Sequence, residues 1–189
     1  MKENKLGFIL LFGALIVSLL FNYHLFDRLH ERQEADGRLL KQAVRFTLID
    51  VEIMNASVWE DVMTTEGKYT RFEVLSGKIK QHEGMWRSLS RLDGYGYEMV
   101  DILSSLSTDL YEMKEHLDHD KDITALKEEI DLKVNALVEI LSFAEDNLPE
   151  DDPIAWAKAF KTRGNPDSEM REVIRDQYRK VNTYRGRNN

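Results

Sequence analysis

Between Leu6 and Phe26 the chain is almost wholly apolar, broken only by Gly7, Gly13, Ser18, Asn22 and His24. Such a run has few places to go. As a helix rising about 1.5 Å per residue it spans roughly 30 Å, the thickness of a bilayer's hydrocarbon core. We read residues 6–26 as a transmembrane signal anchor behind a short tail of residues 1–5, with Tyr23 and Phe26 as interfacial aromatics. A cleaved secretory signal is the competing reading, since Lys2 and Lys5 form a basic leader. Signal peptidase wants small residues just before its cut, and Leu19 to Phe26 offers none.

Orientation is nearly balanced by charge, because Lys2 and Lys5 precede the run while Arg28, Arg32 and Arg38 follow it. A short tail before a long carboxy-terminal domain is the usual arrangement of an anchor that exports its domain. The expected localisation is therefore a single-pass membrane protein with its amino terminus cytoplasmic and its bundle extracytoplasmic. The absence of cysteine agrees with export but does not require it, and it excludes a disulfide framework, a thiol nucleophile and a thiolate metal site.

After a polar helical stalk at residues 27–38, apolar positions recur at helical spacing. Leu40, Val44, Thr47, Val51, Met54 and Val58 form one stripe, with Leu48, Trp59 and Val62 beside it, giving a helix over about 39–64 that ends at Glu66-Gly67-Lys68. Phe72, Leu75, Ile79, His82, Trp86 and Leu89 form a 3-4 seam on a second helix. Met99, Leu103, Leu106, Leu110, Met113 and Leu117 form a third that is out of phase with it. The shift falls on Asp93-Gly94-Tyr95-Gly96, where two glycines favour a turn over a kinked helix. A fourth seam, Ile123, Leu126, Ile130, Val134, Leu137, Leu141 and Ala144, follows Asp122, a plausible N-cap.

The fold class predicted is all-α: one amino-terminal transmembrane helix, an up-down helical bundle of about four helices over residues 39–147, and a basic helical extension over 148–189. In the extension, Ile154, Trp156, Ala157 and Phe160 suggest a short helix, and Asp167 caps a last one reaching about Tyr184. Nearly every Leu, Met and Trp is then core. Gly77 and Gly84 either admit a close helix approach or are tolerated on the surface.

Two groups of residues carry chemistry. Glu112, Glu115, His116 and His119 stand at helical i, i+4 spacing, and imidazole with carboxylate is a competent set for zinc, manganese or iron. An exposed acidic helix end with incidental histidines is the simpler reading, so no cofactor is expected. His82 lies on an apolar seam, where a hydrogen-bonded core histidine is more common than a ligand; as a merely packed residue it would tolerate leucine. No Ser/His/Asp arrangement, phosphate-cradling glycine loop or H-E-x-x-H pair is present, and no enzymatic activity is predicted.

The chain carries a formal net charge of −8, unevenly spread. Residues 97–152 hold 17 acidic side chains against 4 basic ones, a balance that repels nucleic acid and anionic lipid. Residues 153–189 reverse it with Lys158, Lys161, Arg163, Arg171, Arg175, Arg179, Lys180, Arg185 and Arg187, candidates for anionic lipid or an acidic partner. In an up-down bundle this tail emerges on the membrane side. The function these features point to is a membrane-anchored binding, scaffold or accessory protein of the cell envelope, acting through an unidentified protein partner and lipid-surface contacts and not through nucleic acid. A helical-bundle metalloprotein and an extracytoplasmic ligand-sensing bundle are the alternatives. The sequence leaves the oligomeric state open.

Overall fold

The computed structural model describes residues 3–55, 69–94, 96–119, 121–161 and 168–185, with side chains of the first helix described from residue 11. Six helices and no strand occur among these residues: α1 (Glu3–Asn55), α2 (Tyr69–Asp93), α3 (Tyr97–Asp118), α4 (Thr124–Asn147), α5 (Pro153–Phe160) and α6 (Glu169–Arg185). The fold is all-α, and its centre is a helical bundle. Each of α1 and α3 touches both α2 and α4, whereas the diagonal pairs do not meet, so four antiparallel helices close a square.

Burial follows the seams. Leu40, Val44, Thr47, Val51 and Met54 of α1 are buried, as are all six seam residues of α2 from Phe72 to Leu89. Met99, Leu103, Leu106, Leu110 and Met113 of α3 meet Ile130, Val134, Leu137, Leu141 and Ala144 of α4 in the same core. Leu117, Ile123 and Leu126 are only partly buried, where the helices splay toward the α3–α4 connection. Val58, Trp59, Val62, the break at residues 66–68 and the Asp167 cap lie outside the described residues.

The glycine pair does make a turn. Gly94 and Gly96 both take left-handed backbone angles, φ +71° and +59°, which favour glycine because they bring a side chain's Cβ against the backbone. The Gly94 amide closes α2 onto the Ser90 carbonyl at 2.9 Å, and the Gly96 amide donates to the Phe160 carbonyl at 3.0 Å, tying the turn to α5. α4 begins at Thr124 with Ile123, and not the expected Asp122, as its N-cap and with no side-chain cap; Asp122, one residue earlier, accepts from the Thr124 amide at 2.9 Å and the Thr124 hydroxyl at 2.7 Å.

Three boundaries differ from the sequence reading. The run read as an anchor, the stalk and the described part of the first bundle helix are one unbroken helix of 53 residues, about 80 Å long, because nothing between Phe26 and Leu39 except Gly37 interrupts helical propensity. Gly37, within the stretch read as a polar stalk, is instead a buried contact: a methyl group there would fall on the Pro153 carbonyl oxygen. Finally, the carboxy-terminal extension is built into the bundle. Asp152 caps α5 by accepting from the Ala155 amide at 3.0 Å with Pro153 in the first turn, and Trp156, Phe160, Met170 and Ile174 join the main core.

These contacts define two ends. At the base, where α1 enters the bundle, lie Gly37, the 94–96 turn and α5; Lys41 donates there to the Glu150 carbonyl at 2.9 Å. From the base, α6 climbs the outside of α3 and α4, linking Arg171 to Glu98 first and Tyr184 to Glu128 last. Gly37→Ala is expected to destabilise the bundle by about 1–3 kcal/mol, because backbone of α5 and not a pliable side chain must move. Gly77 and Gly84 open on free space, so alanine at either is expected to stabilise by about 0.5–1 kcal/mol. Thermal unfolding of the three variants checks both signs.

Below the bundle the described part of the apolar run packs on nothing. Leu11, Val17 and Phe26 are 74%, 67% and 70% exposed. Among the described residues no helix is long and apolar enough to cross a membrane. Leu6 to Leu10, the first part of the run, lie outside the residues whose side chains are described.

Candidate functional site

The helix that does most to shape the surface is α3, because its seam leaves a run of small hydroxyl residues between Leu103 and Leu110: Ser104, Ser105, Ser107 and Thr108. Short side chains cannot fill the space between neighbouring helices, and a cleft opens on each flank. Toward α2 a groove of about 560 Å³ is lined by Ser76, Gly77, Lys80, Tyr111 and Lys114, among others. Glu73 accepts from Lys114 across it at 2.6 Å. Toward α6 a smaller cleft of about 290 Å³ is lined by Asp101, Ile102, Ser104, Ser105, Thr108, Tyr178, Val181 and Asn182.

The second cleft has an ordered wall. The Tyr178 hydroxyl donates to Asp101 at 2.7 Å, and this bond, with burial, raises the phenol above its ordinary value, so the ring stays neutral at physiological pH. Thr108 turns its hydroxyl back to the Ser104 carbonyl at 3.0 Å. Ser105 is 6% exposed, and its Oγ meets no hydrogen-bond partner among the described residues.

Within the core, three polar contacts link neighbouring helices. Trp86 Nε1 donates to Thr47 Oγ1 at 3.0 Å. Asp50 accepts from Lys78 at 2.5 Å and meets His82 Nε2 at 2.8 Å. Lys133, 1% exposed, is ion-paired with Asp109 and, at 3.1 Å, with Glu129. His82 is therefore a hydrogen-bonded core histidine, and leucine there would take a partner from Asp50, so tolerance is no longer expected.

Asp50 sets a pH dependence. Burial alone would raise its carboxyl, but the hydrogen bonds from Lys78 and His82 outweigh that and hold it below its ordinary value. A carboxyl lowered on folding supplies stability that is present above its unfolded pKa and is lost as pH falls through its folded one. Stability in equilibrium unfolding is thus expected to fall progressively as pH drops below about 5, and Asp50→Asn to flatten that fall while lowering stability at neutral pH.

The four candidate metal ligands share a helix end but not a centre. His116 Nε2 lies 3.9 Å from Glu112, whereas His116 Nδ1 donates to the Asp122 carbonyl at 3.2 Å and His119 Nδ1 to the Glu115 carbonyl at 2.8 Å. Carbonyls only accept, so these two ring nitrogens carry protons and are spent on backbone. Among the described residues no three His, Asp or Glu side chains come together as a metal site.

The basic residues of the tail are also divided. Arg171 is buried and bidentate with Glu98, at 2.6 and 3.3 Å, so it stitches α6 to α3 and is not available to a headgroup. Arg179 lies 3.9 Å from Asp176, and Lys180 3.6 Å from Glu139 on α4, partway up the bundle. Arg175 and Lys158 are exposed, and Lys161 is exposed at the base. Arg163, Arg187 and the side chain of Arg185 lie outside the described residues. Because α6 climbs away from the base, the six described cations do not form one patch.

The hydroxyl run and the buried charges were missed by periodicity alone. Their signal was three serines and a threonine among five residues of a helix, a composition with poor helix propensity that packing must repay. Compared with protein-family models, with curated proteins and with solved structures, the chain finds no match.

Proposed function

We propose that this chain is a membrane-anchored binding module of the cell envelope whose bundle stands outside the cytoplasm. One observation carries the reading: α1 leaves the bundle as an unbroken helix and bares apolar side chains on every side, with Leu15, Leu19, Leu20, Phe21 and Leu25 all about half exposed or more. A helix apolar all round needs an apolar surrounding, and no other described part of the chain supplies one. The complete run from Leu6 to Phe26 has the length of a bilayer core. Binding is supported by two clefts lined with hydroxyls and, in the larger, an ion-paired lysine and glutamate.

The test is membrane fractionation of cells making the full chain. It is expected to resist alkaline carbonate extraction, and a chain lacking residues 1–26 to become extractable. Protease added to spheroplasts is expected to remove the bundle. Release by carbonate would end the anchor, and a protected bundle would reverse its side.

A further inference from the structure

We propose that the cleft between α3 and α6 binds a small neutral polyhydroxylated molecule, of the size of one sugar ring. The inference rests on the bundle being a binding module but not on its anchor.

The cleft holds about 290 Å³, the lower end of the range of ligand pockets and room for about ten water-sized groups. Its chemistry is narrow. Among the described residues no lysine or arginine lines it, and Asp101 is its one charged group. An anion would meet only that carboxylate and hydroxyls, with no cation to balance it. A metal ion would meet a single carboxylate, already accepting from Tyr178.

A polyol matches what remains. Its hydroxyls both donate and accept, matching Ser104 and Ser105; Thr108, whose proton goes to the Ser104 carbonyl, and Asp101 can accept, and Asn182 offers the part of its amide that Tyr178 leaves. Ile102, Val181 and the Tyr178 ring supply an apolar side for the ring carbons.

The decisive feature is Ser105. Its hydroxyl is buried in the cleft wall without a partner among the described residues, whereas buried polar groups are nearly always satisfied. The oxygen is sealed within that wall, and a turn of the Ser105 side chain toward the opening would let a ligand hydroxyl in the cleft complete it. α6 closes the site, since Tyr178 and Asn182 lie one turn apart on its cleft-facing side.

The experiment uses the full-length chain in a detergent without a sugar headgroup, probed by saturation-transfer NMR with glucose, inositol, ethanolamine and acetate. Glucose or inositol is expected to bind saturably in the millimolar range, and ethanolamine and acetate not to bind. Ser105→Ala is expected to weaken binding about tenfold, the worth of one well-made hydrogen bond to a buried group, with helicity and thermal unfolding unchanged. Asp101→Asn should weaken it further; should that variant fail to fold, Ser105→Ala still decides, because its hydroxyl holds nothing in the described fold. No saturation by either polyol overturns the proposal and leaves water as the occupant. So does equal binding of ethanolamine or acetate, or full binding by Ser105→Ala. Because the readout involves no membrane, failure here leaves the anchor standing, and failure of carbonate resistance leaves the cleft standing.

Discussion

Lys133→Ala is expected to cost about 3–5 kcal/mol, although the residue is a lysine and lies outside the apolar seam. Lys133 is 1% exposed, and its ammonium faces Asp109, itself 7% exposed, across the α3–α4 contact. Taking both charges out of water is costly, and their attraction repays it only while both are present. Alanine removes the cation that neutralises the buried carboxylate and also leaves the space of three methylenes and the ammonium. Replacing both charges at once is a different matter: Lys133→Met with Asp109→Leu is expected to recover most of the loss, because a well-packed apolar pair carries no desolvation penalty. Denaturant unfolding followed by helical circular dichroism checks the pair. A double variant as unstable as the single one would show that the charges supply net stability and not only mutual compensation.

Trp86→Ala is expected to cost a similar amount, about 3–5 kcal/mol, by leaving a cavity that only the loss of Trp156 would match in this core. Trp86 is fully buried, its ring 5.4 Å from that of Phe160, and a Cβ added at Gly96 would lie 2.6 Å from its edge. One side chain thus joins α2, the 94–96 turn and α5 at the base. Trp86→Phe keeps much of the volume but leaves Thr47 Oγ1 without its donor, for about 1–3 kcal/mol. Gly96→Ala should behave like a partial Trp86 defect, since it both strains a left-handed backbone and presses on the ring. In a Trp156→Phe background, which removes the other tryptophan of the described core, a red shift of emission at an unchanged unfolding midpoint separates a displaced Trp86 from general unfolding.

The seams were legible because burial in a bundle repeats every 3 or 4 residues, and position after position from Phe72 to Leu89 obeys that spacing. The turn at Gly94 and Gly96 was legible for a second local reason, the freedom of glycine at positive φ. Charged core residues were not. Asp50, Asp109 and Lys133 each sit beside a seam residue, Val51, Leu110 and Val134, and periodicity reads a charge there as the solvent edge of the stripe. Only the partner on the next helix makes burial tolerable, and pairing across helices is absent from any single helix's pattern. The same limit explains Arg171, read as one of nine tail cations yet held by Glu98 far earlier in the chain. Gly37 failed differently: its closeness to Pro153 depends on where α5 returns, which no local spacing records.

Because α1 continues without a hinge from the apolar stretch into the bundle, the two are geared to one another. One residue inserted between Asp27 and Asp36 would swing the bundle by about 100° around the helix axis and lift it by about 1.5 Å. Seven inserted residues would restore nearly the original heading about 10 Å further out. The bundle's compass bearing is thus written into the count of residues in its stem. A rotation of the apolar stretch about its own axis would reach the base at Gly37 as a rotation, and α5, wedged against that glycine, would be the first element to register it.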